Sequence, residues 1–95
     1  IALFRIMQEA LNNVWKHAQA GEVKIIVETT PLAVTMIIKD DGIGFNVDQK
    51  QSNDCFGLRG MREWAAILRG TLRIASVVGK GTSITVRVPV EEVQS

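Results

Sequence analysis

Glu9, Asn13 and His17 stand four residues apart, and Lys16 follows Asn13 by three. On a helix that spacing lines carboxylate, amide and imidazole along one stripe, with the ammonium on its border. Such a stripe is a polar wall for a site, although a solvated helix face is spaced the same way. In Asp40-Asp41-Gly42-Ile43-Gly44-Phe45, a carboxylate runs straight into glycines. The glycines permit a backbone path and a close approach that a side chain would forbid. An ionised carboxylate only accepts hydrogen bonds, so one held there could receive the exocyclic amine of adenine. A plain turn has the same composition.

Phe56-Gly57-Leu58-Arg59-Gly60-Met61 places glycines where a helix begins. Backbone N–H groups at a helix N-terminus, with the positive end of its dipole, suit a phosphate chain. Gly60 inside that helix costs about 1 kcal/mol relative to alanine, which suggests close packing or ligand approach, although a helix start with an incidental glycine reads the same way. Finally, Gly79-Lys80-Gly81-Thr82 sets a hydroxyl at the head of a strand after a glycine turn, which also describes an ordinary hairpin.

These residues need elements to hold them. Apolar residues at Leu3, Ile6, Met7, Ala10, Leu11, Val14 and Ala18 have helical spacing, with Gly21 placed to end the helix. Residues 22–30 and 33–39 read as β-branched strands joined at Pro31, close enough for an antiparallel hairpin. Residues 46–54 are polar and aperiodic, as in a mobile loop. A second amphipathic helix starts near Gly57, with Leu58, Met61, Ala65 and Leu68 on one face and Gly70 as its cap. Two more strands follow, at residues 71–77 and 82–88. The order helix, two strands, helix, two strands predicts a two-layer α/β sandwich: a mostly antiparallel four-stranded sheet with helices on one face.

Ninety-five residues make one domain with one core. At 46% hydrophobic and 22% charged, the chain is an ordinary globular one. A net charge of +1 supplies no general surface for nucleic acid or membrane. The single cysteine, Cys55, excludes an internal disulfide and reads as a loop thiol. No apolar run is long enough to span a bilayer. The chain opens at Ile1 within the helical pattern, as expected for a fragment of a longer protein. There is no G-x-x-x-x-G-K-[ST] sequence, which sets aside a P-loop ATPase.

In combination the motifs resemble the ATP-binding domain shared by histidine kinases, gyrase, the Hsp90 chaperones and MutL. FRIMQEALNNVWKHAQA resembles that family's N box, DDGIGF its first glycine box, FGLRGM its second and GKGTSI its closing Gly-Thr box. QEAL-x-N-x-x-KHA followed by GL-x-GM is similar to the short-lid histidine kinase branch of nitrate sensors and the membrane-fluidity thermosensor. The resemblance runs from Phe4 to about Pro89.

It implies that Asp40 binds the adenine amino group, supported by Thr82, and that Asn13 holds Mg²⁺. Glu9 would be the general base, with Lys16 and His17 near the phosphates. Gly42 and Gly44 would shape the base site. Gly57 and Gly60 would let the second helix's N-terminus meet the phosphate chain, with Arg59 as a further contact; Leu58 and Met61 would also be ATP-binding, and residues 46–55 would form the lid. His17 shares a helix with these ligands and so is poorly placed to be their in-line target. The acceptor histidine would then lie on an upstream dimerisation domain, with a response regulator as the parent's partner. The fragment would be a cytoplasmic monomer of residues 1–95, without nucleic-acid or membrane contact, from a homodimeric parent that could be an inner-membrane sensor. Trp64 stands where the branch usually has a charged residue, either packing on its helix or meeting another domain. Asp54-Cys55-Phe56 stands where relatives often carry a further glycine. An anti-sigma-factor-type serine kinase and a nucleotide-sensing scaffold are the two competing functions.

Overall fold

The computed structural model describes residues 2–19, 21–46 and 57–90. Helix α1 spans Ala2–Asn13 and continues as a π-helical turn over Val14–Ala18. Strands β1 (Val23–Thr29) and β2 (Ala33–Asp40) follow, then helix α2 (Leu58–Ile67), β3 (Thr71–Val77) and β4 (Gly81–Pro89). The expected lid falls almost wholly outside the described residues.

All three strand pairings are antiparallel, in the order β1-β2-β4-β3. The β1–β2 hairpin turns where Thr30 receives backbone N–H groups from Leu32 and Ala33 at its hydroxyl. Both helices lie on one face of the sheet. Alternation along the strands sends Met36 and Ile38 of β2, and Ile84 and Val86 of β4, to that face. There they meet Ile6 and Ala10 of α1 and Leu58, Met61 and Ala65 of α2. The two-layer α/β sandwich expected from the element order is the observed fold. The helices cover the middle of the sheet, while Ile25 and Val27 at the β1 edge stay exposed.

Two helix ends differ from expectation. The left-handed residue closing the first helix is Gln19 (φ 50°), not Gly21. The second helix turns at Arg69 (φ 56°), and the N–H groups of Arg69 and Gly70 bond back to the carbonyls of Ala66 and Ala65. That is a Schellman closure with arginine at the left-handed position, and Gly70 follows it.

Met61 is fully buried between the helices and the sheet. Met61→Ala should lower unfolding stability by about 2–5 kcal/mol through lost burial and a residual cavity, read as the shift in a urea midpoint at unchanged slope.

Candidate functional site

The inner face of the sheet is built in rows. Met36, Val86 and Leu72 are cross-strand partners in one, and Ile38, Ile84 and Ile74 in the next. One step further, at the same end of all three strands, the row becomes Asp40, Thr82 and Ser76. Period-two alternation carries each strand's inward column from apolar residues to a single polar terminus. Asp40 and Thr82 are each only 9% exposed. A hollow of about 190 Å³ opens at this end of the sheet, lined by all three, by their opposite-face neighbours Lys39, Ala75 and Ser83, and by Lys80 and Gly81.

Asp40 Oδ1 accepts the Gly42 N–H at 2.8 Å. A carboxylate offers about four acceptor positions, so Oδ2 keeps capacity for an amine donor. Thr82 Oγ1 lies 2.8 Å from Ser76 Oγ, which also receives the Phe45 N–H at 2.8 Å. The adjacent Asp41 does something different. Its Oδ1 accepts the N–H groups of Gly21 and Glu22, at 2.9 and 3.0 Å, and so ties the end of β2 to the start of β1. One carboxylate of the pair faces the site and the other staples the sheet.

Gly44 carries the chain past this row with φ 66°, and a Cβ there would run into the Val77 carbonyl. Only glycine satisfies both demands. The Ile43 carbonyl accepts the Gly79 N–H, holding the DDGIGF segment on the β3–β4 turn.

A second part of the site lies between the helices. A groove of about 360 Å³ runs past Arg5, Gln8 and Glu9 on α1 and Gly57, Gly60, Met61 and Trp64 on α2. Gly57 precedes α2 with φ 63°, and a Cβ on it would strike the Glu9 carboxylate. Gly60 has open space at its Cβ position. Packing therefore does not require that glycine. Trp64 is 36% exposed and lines the groove rather than filling the core.

The structure thus gathers the expected residues into two groups: Asp40, Gly42, Gly44 and Thr82 at the sheet end, and Glu9, Gly57, Gly60 and Met61 along the groove. Asn13, half-buried, ends α1 one turn beyond Glu9. The π turn widens the helix after Asn13, so the expected four-residue stripe does not continue in phase to position 17. Lys16 is exposed, and the side chain of His17 lies outside the described residues. The side chains of Leu58 and Met61 are buried in the core, which leaves only the backbone of each to face a ligand. Leu58, first in α2, has only a backbone N–H of the kind helices leave unpaired. The Met61 N–H is already bonded to the Gly57 carbonyl. Arg59 is exposed. Ser76 is the residue that motif reading missed. Its signal was the inward column Leu72, Ile74, Ser76, in which a hydroxyl takes an apolar place.

Among the described residues no group of three or more His, Cys, Asp and Glu could cage a metal. A magnesium ion on the Asn13 amide oxygen would therefore take its remaining oxygens from phosphates and water, which is how Mg²⁺ commonly binds nucleotide.

Residues 1–92 match the family of histidine kinase-, DNA gyrase B-, and HSP90-like ATPases. The chain belongs to that family. Two curated relatives of this ATPase domain come from Bacillus subtilis (strain 168). It is 43% identical over 91 residues to the signal transduction histidine-protein kinase/phosphatase DegS, covering 94% of this chain and 24% of DegS. It is 41% identical over 88 residues to the sensor histidine kinase LiaS, covering 93% of this chain and 24% of LiaS. The domain thus spans about a quarter of the length of these relatives. The ATP-binding domain of PrrB from Mycobacterium tuberculosis shares the fold at TM-score 0.78 and 22% identity, over 96% of this chain and 68% of that one. The Acinetobacter baumannii histidine kinase AdeS gives TM-score 0.78 at 18% identity, over 96% of this chain and 47% of its own.

The unlike duties of the two aspartates are separable. Asp41→Ala should lower stability by about 1 kcal/mol, from two lost hydrogen bonds at an exposed site, and leave ATP affinity within about twofold. Thermal unfolding and calorimetric titration on the same sample check both halves.

Proposed function

We propose that this domain binds ATP with Mg²⁺ and donates the γ-phosphoryl group to a histidine on a separate dimerisation domain, in two-component signal transduction. The observation that carries the proposal is the buried Asp40 with spare acceptor capacity, ending an apolar floor beside a hydroxyl pair. That row offers one acceptor for the exocyclic amine of a purine, with a hydroxyl pair beside it. Family membership and the kinase names of DegS and LiaS support the same reading.

In this reading Asp40 and Thr82 hold the base, and Gly42 and Gly44 let the backbone pass close beside it. Asn13 supplies an oxygen to magnesium, which neutralises charge on the phosphates. Lys16, His17 and Arg59 add positive charge or donors along the phosphate chain. Gly57 and Gly60 bring the start of α2 to it, where Leu58 presents an N–H and Met61 packs beneath. Glu9 borders the groove by which an acceptor reaches this end. As the imidazole nitrogen bonds to phosphorus, the bond from phosphorus to the bridging oxygen breaks and ADP leaves with its electrons. Glu9 takes the imidazole proton. Such a transfer depends on positioning and charge stabilisation more than on covalent help from the protein.

The acceptor domain and the response regulator belong to the parent protein, a dimer in this reading, while the domain alone is a cytoplasmic monomer. Trp64 gives the groove an apolar edge for the acceptor domain to meet. Among the described residues no helix is long and apolar enough to cross a membrane.

Calorimetric titration of ATP, with and without Mg²⁺, tests the binding half. Asp40→Asn should weaken ATP by on the order of 100-fold, through loss of a charge-assisted bond and an amide hydrogen aimed at the amine. Asn13→Ala should bind ATP while losing most of the Mg²⁺-dependent gain. Native affinity in Asp40→Asn would overturn the assignment of the base site. The transfer half is tested with γ-labelled ATP: this chain alone should stay unlabelled and should label an added acceptor domain. Stable label on the chain itself would contradict the separate acceptor.

A further inference from the structure

Ser76 is bonded to three parts of the site and belongs to none of its motifs. Its hydroxyl oxygen accepts the Phe45 N–H at 2.8 Å, lies 2.8 Å from Thr82 Oγ1 and is 3.2 Å from the Gly81 carbonyl. Phe45 ends the DDGIGF segment and packs on the core, Gly81 opens β4, and Thr82 is the cross-strand partner of both Ser76 and Asp40. One side chain therefore fixes the approach, the head of the strand and the hydroxyl beside the base-binding carboxylate.

The proton count gives this hub a further property. Ser76 has one hydroxyl hydrogen and two acceptors within reach, Gly81 O and Thr82 Oγ1. If it donates to Gly81, Thr82 must spend its own hydrogen on Ser76 and faces a ligand as an acceptor. If it donates to Thr82, the Thr82 hydrogen is free and Thr82 faces a ligand as a donor. Asp40 can only accept when ionised. An adenine edge offers an amine donor beside a ring-nitrogen acceptor, so it needs an acceptor and a donor side by side. A guanine edge presents the reverse.

We infer that Ser76 is a positioning residue for the purine: it orients the Thr82 hydroxyl, sets its polarity beside Asp40, and so contributes to the choice of adenine over guanine. This rests on the ATP-binding reading above. Among the described residues the hydrogen bonds of Ser76 go to Phe45, Gly81 and Thr82, at the base end, so its effect is expected on the base.

The test is calorimetric titration of ATP and ADP, with and without Mg²⁺, and competition by GTP, on the native chain, Ser76→Ala and Ser76→Thr. Ser76→Ala should weaken ATP and ADP alike, each about tenfold, leave the Mg²⁺-dependent gain unchanged and narrow the gap between ATP and GTP. Ser76→Thr keeps the hydroxyl and suits a strand, and should restore affinity to within about threefold. A merely structural role would lower the melting temperature of Ser76→Ala and leave the ATP to GTP ratio unchanged, which would overturn the inference. Native affinities in Ser76→Ala would overturn it as well. If Ser76→Ala does not fold, Ser76→Cys preserves size with a weaker hydrogen-bonding group, and an unchanged ratio there overturns it equally. Absence of ATP binding by the native chain would instead sink the nucleotide reading itself.

Discussion

Cross-strand registry is the constraint on which this domain rests. β2, β4 and β3 each run out of inward apolar residues at the same level, so Asp40, Thr82 and Ser76 meet in one line. A carboxylate there is next to isoleucines and little hydrated, and its hydrogen bonds are correspondingly strong. The Gly42 N–H offsets part of the desolvation, while the rest of the acceptor capacity awaits a donor. A slip of one residue in β4 would turn Thr82 to the opposite face and bring a neighbour's side chain in its place. The pocket floor is thus a property of the pairing.

The rest of the architecture serves that line or extends from it. Ile6, Ala10, Leu58, Met61 and Ala65 seal the helices to the apolar rows, which fixes where the α1–α2 groove opens. The same packing sets Gly57 against the Glu9 carboxylate, so two segments about fifty residues apart in sequence meet with only the Glu9 side chain between them. The Asp41 staple keeps β1 aligned with β2 just behind the buried Asp40 carboxylate. The polar sheet end and the groove between the helices are therefore two outlets of one core.

Much of this was legible in the residues. Strand alternation and helical spacing were strong enough to give the layers, the hairpins and their antiparallel sense, because each element has one apolar face. Asp40 and Thr82 stood out because glycines flank them. Ser76 did not, since TLRIASV has no glycine to mark it and its register with Thr82 is a non-local fact. Only the family resemblance set Asp40 apart from Asp41, because both are turn formers and the direction of each side chain assigns its partner. Gly21 and Gly70 were natural helix stops, yet Gln19 and Arg69 take the left-handed positions. The π turn over Val14–Ala18 left no trace in composition, as it shifts hydrogen bonds by one residue without asking for different side chains.

The strand order has a consequence for how the chain acquires its shape. β4 comes last of the four strands in sequence, yet it lies between β2 and β3. During synthesis the ribosome must release residues up to Pro89 before β3 has any neighbour in the sheet. Until then β2 has one unpaired edge and the inward columns have a gap at their centre. Closure is thus a long-range event that waits for β4, when the entropy of bringing distant segments together has to be met at once. Nascent chains that stop short of β4 would expose a sticky half-sheet to chaperones and proteases.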